Sequence, residues 1–215
     1  MTTSPELIRQ LSEFDVATLY EAAGQRGMVD PAIRPMWQGA HVCGPAITVG
    51  CPTRDNLMLH QAVAVAAPGS VLVANAQRHQ YAGAWGEVLT VAAQARGIAG
   101  LVIDGAVRDI EAIEKRRFPV FSRGLAIGAC TKEKFGTLNE PIDLGGVTVR
   151  SGDIVVGTGD GVVILEGQTI EQVLRAAIMR RDRESEIFRQ LNDGRTTLEI
   201  LDLPKWIHGG RKAGQ

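Results

Sequence analysis

The stretch Gly83–Glu111, GAWGEVLTVAAQARGIAGLVIDGAVRDIE, constrains this chain more than any other. Leu101, Val102 and Ile103 form a short apolar run with glycines on both sides, which predicts a strand. Before it, Val88, Leu89, Val91, Ala92 and Ala95 recur at helical spacing, which predicts an amphipathic helix over Gly86–Arg96 with these residues inward. After it, Gly105-Ala106-Val107 reads as a tight turn that delivers Arg108 and Asp109 side by side. A small loop thus opens a helix whose unpaired N–H groups can hold an anion. A guanidinium suited to carboxylate and a carboxylate suited to a hard cation follow one strand later. Each piece also has a plainer reading. Glu87 can be a solvated acid of the first turn, Asp109 the N-cap of a helix beginning at Ile110, and Arg108 a surface charge. Taken together, both ends of one helix–strand unit would converge on a small oxyanion and a metal, which puts the functional reading level with the plain one and leaves both open.

The remaining composition excludes several classes. With 215 residues, 45% hydrophobic and 22% charged, the chain has the make-up of an ordinary globular protein. Its net charge of −1 and lack of a basic block leave no footprint for nucleic acid or an anionic membrane. No apolar run approaches a transmembrane length, and MTTSPELIRQ lacks the basic-then-apolar order of a secretory leader, so a cytoplasmic protein is expected. Cys43, Cys51 and Cys130 form no CxxC pair and read as reduced thiols without a metal role.

Along the chain, Ser4–Ser12 and Asp15–Ala23 read as short helices, the second capped by Asp15 and ended by Gly24 and Gly27. Residues 31–45 read as turns, Ala46–Cys51 as a strand, and Arg54-Asp55-Asn56 as the start of a helix with Leu57, Leu59, Val63 and Ala64 inward. Val71–Ala74 reads as a strand and residues 75–85 as a polar loop. Ile110–Lys115 reads as a helix, and Phe118–Phe121 and Leu125–Ala129 as two strands. From Pro141 to Leu165 glycine turns separate short strands, the pattern of hairpins. Thr169 and Gln172 have capping-box spacing ahead of a helix reaching about Asn192, with Gly194 as its stop. The stripe Ile170, Val173, Leu174, Ala177 and Ile178 occupies its first half; RRDRESE in the second half is nearly all charge. No repeat or linker is visible, and one domain with N- and C-terminal helical additions is expected.

Other motifs point away from competing chemistries. Gly157-Thr158-Gly159-Asp160-Gly161 is followed by the strand-like VVIL instead of a helix, so it is a hairpin turn and not a dinucleotide loop. His60 lies on an amphipathic helix as a core or edge residue, and His79 sits in the loop before the glycines, within possible reach of the site. No HExxH and no GxSxG occur, against zinc proteases and serine hydrolases.

The run Ala82–Leu89, with Gly100–Asp109, resembles the RraA-like family, which includes the 4-hydroxy-4-methyl-2-oxoglutarate / 4-carboxy-4-hydroxy-2-oxoadipate aldolases. Gly44-Pro45-Ala46 with Thr48-Val49, the Asp55-Asn56 helix start, Phe118–Phe121, Gly152-Asp153 and Gly161-Val162-Val163 support it. The resemblance covers roughly residues 15–200. It implies a swivelling β/β/α domain of the α/β class, assembled as a homotrimer or homohexamer with sites at subunit interfaces. The main-chain N–H groups of the segment Gly86-Glu87-Val88-Leu89 would bind the pyruvate carboxylate. Arg108 would contact the pyruvyl oxygens, and Asp109 would hold Mg²⁺ or Mn²⁺, largely through water. Glu186, or else Glu184, from the C-terminal helix of a neighbouring subunit would approach that metal. One departure stands out: the aldolases carry a second acid three residues after the aspartate, where this chain has Ala112. Glu111 comes one place early, and its spacing puts it on a different side of the helix.

The implied function is a divalent-metal-dependent (class II) aldolase, a carbon–carbon lyase acting on a 4-hydroxy-2-oxo acid, with oxaloacetate decarboxylation as a side activity. The alternative is a non-enzymatic regulator of a ribonuclease or helicase, as in family members that lack the metal acid. A methyltransferase would need a glycine-rich loop after a first strand and an acid ending the next, and neither is visible.

Overall fold

Ser4 and Asp15 each accept an amide hydrogen bond from the turn that follows, at Leu7 and Thr18, and so start α1 (Pro5–Leu11) and α2 (Val16–Ala22). These open a computed structural model that describes residues 4–204. Next come β1 (Arg34–Pro35), β2 (Val42–Gly50), α3 (Leu57–Val65), β3 (Val71–Asn75), β4 (Gly83–Trp85), α4 (Glu87–Ala95), β5 (Gly100–Val107), α5 (Ile110–Lys115) and β6 (Val120–Leu125). The short strands β7 (Thr137–Leu138), β8 (Ile142–Leu144) and β9 (Val147–Val149) lead to β10 (Ile154–Thr158) and β11 (Gly161–Leu165). Helices α6 (Ile170–Asn192) and α7 (Thr197–Ile200) follow.

The main sheet runs β1-β6-β5-β3-β2-β10-β11, with β4 beside β5 and β7 beside β2, while β8 and β9 form a separate hairpin. Strands β2, β3, β5 and β6 are mutually parallel; β10 joins β2 antiparallel and turns back as β11. Ahead of β1, residues 27–29 cross to β11: Val29 N–H donates to Val162 O, and Ile164 N–H to Gly27 O. The two ends of the strand order are thereby brought together, and the sheet is nearly closed into a barrel.

The alternation of β10 and β11 serves two cores. Val155, Val162 and Ile164 face the main core with Leu72, Ile103 and Phe121. Ile154, Val156, Val163 and Leu165 face a second core made by α1, α2 and the first half of α6. The predicted N- and C-terminal helical additions are therefore one layer on one face of the hairpin.

Several expectations need correction. Gly105-Ala106-Val107 is not a turn: β5 continues through it, paired with β4 at Ala106 and Val107 and with β6 at the same residues. Gly105 is there for closeness, since a Cβ would lie 2.7 Å from that of Ala76. The turn-rich reading of 31–45 hides β1 and the start of β2, and the polar loop 75–85 hides β4, three residues long and wholly buried. Phe118–Phe121 and Leu125–Ala129 are not two strands; β6 alone runs across Gly124. In α3 the inward residues are Met58, Leu59, Ala62 and Val63, while Ala64 is exposed.

The two capped ends also differ from expectation. Thr169 makes no capping box, because its hydroxyl donates to Glu166 O; the box is built by Thr196 and Glu199 at α7 instead. Of the predicted stripe on α6, Ile170, Val173, Leu174 and Ala177 are buried and Ile178 is 37% exposed. Among the described residues no helix is long and apolar enough to cross a membrane.

Candidate active site

In open α/β sheets and in closed α/β barrels alike, ligands collect beyond the carboxyl ends of the parallel strands. Here β4 and β5 end side by side, Trp85 opposite Val107, so Gly86 and Arg108 leave the sheet together. Arg108 N–H donates to Trp85 O at 2.9 Å, which locks the two exits to each other. Two buried contacts hold β4 in place: Asn56 Nδ2 donates to Ala84 O, and Trp85 stacks on Phe118 with centroids 6.0 Å apart.

Helix α4 begins at once. Gly86 is its N-cap in extended conformation and makes no side-chain cap, so the first-turn amides are left to other acceptors. The predicted inward stripe is out of phase with the structure. Leu89, Thr90 and Ala93 are buried, while Val88 and Val91 are 77% and 42% exposed and Ala95 is exposed. Thr90 sets this phase: its hydroxyl donates to Gly86 O and accepts from Trp85 Nε1, so a satisfied polar residue takes an inward place.

At the end of β5, Asp109 adopts a left-handed conformation (φ 59°) and makes no cap for α5. Its carboxylate crosses to the other helix instead: Glu87 N–H donates to Asp109 Oδ2 at 3.0 Å, and Arg108 Nε lies 3.7 Å from the same oxygen. The reading of Asp109 as a simple N-cap is thus overturned. Space for this crossing requires a glycine, because a Cβ on Gly86 would come within 2.4 Å of Asp109 Oδ2 and 3.2 Å of Arg108 Nε.

The predicted residues Gly86, Glu87, Arg108 and Asp109 are therefore gathered at one point. Beside them opens a cleft of about 720 Å³ lined by Glu87, Asp109, Ile110, Glu111, Ala112, Lys115 and Arg116. Glu111 shares this cleft with Asp109, contrary to the expectation that it faces elsewhere. A second recess, about 320 Å³, lies against Arg108 and Asp109 on the side of Leu125, Ala126 and Ile127. His79 is not among the residues lining either recess; its ring packs edge-on against Tyr81, and its carbonyl accepts from Ala106 N–H. His60 is half-buried on α3, where burial, with Lys132 adding to it, lowers its pKa.

Glu186 does not line the cleft of its own chain. It is exposed on α6, bonded through both oxygens to Arg189, which with Gln190 holds its pKa down to about 2. Burial pushes the thiols of Cys43 and Cys51 up to about 12 and that of Cys130 upward too, so all three stay protonated at neutral pH.

Two residues shape the site through distant partners that the sequence did not reveal. Asn56 holds β4 from 28 positions away, and Arg116 binds the Glu87 carboxylate from 29 positions away. Only the Gly86–Thr90 spacing, one helical turn, offered a local clue.

The parallel strands of a mixed sheet that place a glycine-opened helix and an Arg–Asp pair at adjoining carboxyl ends define an α/β protein with a charged cleft at that edge. The chain belongs to the RraA-like family, described as Aldolase/RraA, whose model matches residues 15–164. It is 34% identical over 203 residues to a protein of Halalkalibacterium halodurans named "Putative 4-hydroxy-4-methyl-2-oxoglutarate aldolase", covering 94% of this chain and 96% of that one. An uncharacterized protein of Pseudomonas syringae has a similar crystal structure, with TM-score 0.84, 27% identity and coverage of 91% and 92% of the two chains. RraAS2 of Streptomyces coelicolor, from the RNase ES inhibitor RraA family, has TM-score 0.78 and 25% identity over 88% of this chain and 98% of its own.

Proposed function

We propose that this chain is a divalent-metal-dependent aldolase that cleaves a 4-hydroxy-2-oxo acid to pyruvate and a second oxo acid. The observation that carries the proposal is the meeting of Asp109, Arg108 and the amide end of α4 at one point. The Halalkalibacterium relative supports the reaction class.

The donor set fits a hard cation. The acids lining the cleft are Glu87, Asp109 and Glu111, with no histidine or cysteine among its lining residues. No group of three or more His, Cys, Asp or Glu positioned to hold a metal occurs among the described residues, and water would fill the positions that the acids leave. Asp109 would hold Mg²⁺ or Mn²⁺, with Glu186 of a neighbouring subunit as the further acid in a homotrimer or homohexamer. Bound there, the cation supplies a Lewis acid that draws charge from the 2-oxo group.

The chain's own groups do the rest. Amides of Val88 and Leu89 receive the substrate carboxylate at the positive end of α4, beside the Glu87 amide that Asp109 holds. Arg108 donates to the oxygen on which negative charge builds as the C3–C4 bond breaks, stabilising the pyruvate enolate. Decarboxylation of oxaloacetate yields the same enolate and is expected as a side reaction. Glu87 and Glu111 are the carboxylates beside Asp109 able to take up the hydroxyl proton.

The test is pyruvate release from 4-hydroxy-4-methyl-2-oxoglutarate and from oxaloacetate, with added Mg²⁺ and with excess chelator. Full turnover in chelator overturns the metal mechanism. The competing reading, a regulator of a ribonuclease or helicase, draws on the Streptomyces neighbour and requires that no pyruvate be released under any of these conditions.

A further inference from the structure

Glu87 is the first residue of α4, and its two polar ends have different partners. Its amide donates to Asp109, while its side chain is held by Arg116, whose Nε and Nη2 both donate to Glu87 Oε1 at 3.0 and 2.8 Å. Arg116 is well placed for this. It is the C-cap residue of α5, and its carbonyl receives Gln94 Nε2 at 2.9 Å, so its backbone is pinned near the end of α4 while its side chain reaches the beginning.

The two side chains are 40% and 43% exposed, and ion pairs so open to water add little to stability. A positional role accounts better for a guanidinium that spends two donors on one oxygen. An acid in the first turn of a helix is drawn toward the unpaired N–H groups there. In a site that must offer those groups to a ligand, a loose Glu87 side chain is an internal competitor and a like charge beside the incoming anion.

We infer that Arg116 is a positioning residue that holds the Glu87 carboxylate off the amino end of α4, keeping that end open to the carboxylate of a 2-oxo acid. The inference rests on the proposed function above. Substitution of Arg116 leaves the Gln94 contact intact, since that contact uses the Arg116 backbone carbonyl.

The probe is oxalate, a planar mimic of the pyruvate enolate, titrated calorimetrically into the protein with Mg²⁺ in excess. Arg116→Met should weaken oxalate binding by roughly two- to fivefold, the range of a helix-end charge effect, and raise KM by the same factor while kcat changes less. Against a Glu87→Gln background the same substitution should have no further effect on oxalate binding, because no carboxylate is left to restrain. Arg116→Lys, which keeps the charge with a single donor group, should fall between and serves if Arg116→Met does not fold. Unchanged oxalate binding in Arg116→Met overturns the inference, as does an equal loss in the Glu87→Gln background, which would mean that Arg116 touches the ligand itself. Wild-type protein that binds no oxalate overturns the 2-oxo acid site and this inference with it.

Discussion

Asp109 Oδ2 accepts the amide of Glu87 at 3.0 Å, although the two residues are 22 positions apart and start different helices. One carboxylate thereby satisfies the end of a neighbouring helix while leaving its own helix uncapped. A residue serving only α5 would do the reverse. This bond ties the proposed metal ligand to the proposed anion cradle, so disturbing either should be felt by both.

Asp109→Asn should abolish metal-dependent turnover and lower Mg²⁺ affinity while leaving the fold intact. Asparagine tolerates the left-handed backbone found here (φ 59°), whereas alanine at that φ adds strain of roughly 1–2 kcal/mol. Asp109→Ala should therefore lose activity and also melt several degrees lower than Asp109→Asn. Calorimetric Mg²⁺ titration and thermal melts check the pair.

Gly86→Ala should cut kcat/KM by on the order of 10²-fold, since a methyl there displaces Asp109 and Arg108 together and small misplacements of catalytic groups are costly. The circular dichroism spectrum should not change, because Gly86 is already extended and pays no left-handed penalty. A fully active alanine variant would show that the 2.4 Å approach is not maintained during turnover.

Arg108→Lys keeps the charge but loses the planar fork that meets two oxygens at once, and kcat/KM should fall by well over tenfold. Steady-state pyruvate release measures this. An unchanged value would return Arg108 to the status of a surface charge.

Asp55 should set part of the acid stability. Burial raises its pKa, but amides of Glu133 and Leu57, the Thr131 hydroxyl and the Lys134 amide outweigh burial and hold it at about 2, against an ordinary 3.8. A depressed carboxylate contributes stability that is complete above its unfolded pKa and disappears as pH falls through its folded one. Melting temperature in the wild type should thus drop between pH 3.8 and about 2. Asp55→Asn should be less stable at pH 7 and show a flatter profile across that window.

The glycine–helix–strand–Arg–Asp unit was legible because its pieces are contiguous and each has a local signature: glycine punctuation, helical spacing, and paired charges after an apolar run. What failed were features decided by packing. Gly105 looks like a turn residue, yet its role is to let β5 approach Ala76. β4 lacks an alternation because only three residues form it, and the phase of α4 follows from a threonine whose hydroxyl is paired twice. The capping box is misplaced for a similar reason: Thr169 has the spacing, but a turn ending at Glu166 claims its hydroxyl. Distant partners such as Arg116 and Asn56 leave no trace in a single sequence.

The crossing of residues 27–29 onto β11 has a bearing on how copies of this chain can meet. A sheet with a free margin invites another strand to add to it. Here β11 has its outer side taken by Gly27 and Val29, and the opposite margin, β1, is two residues long and contains Pro35. Neither margin of the main strand order offers a run of unpaired amides for a second chain to extend. At these two margins, contact with another copy is left to side chains, and α4 presents Val88 and Val91 outward directly next to Glu87 and the site.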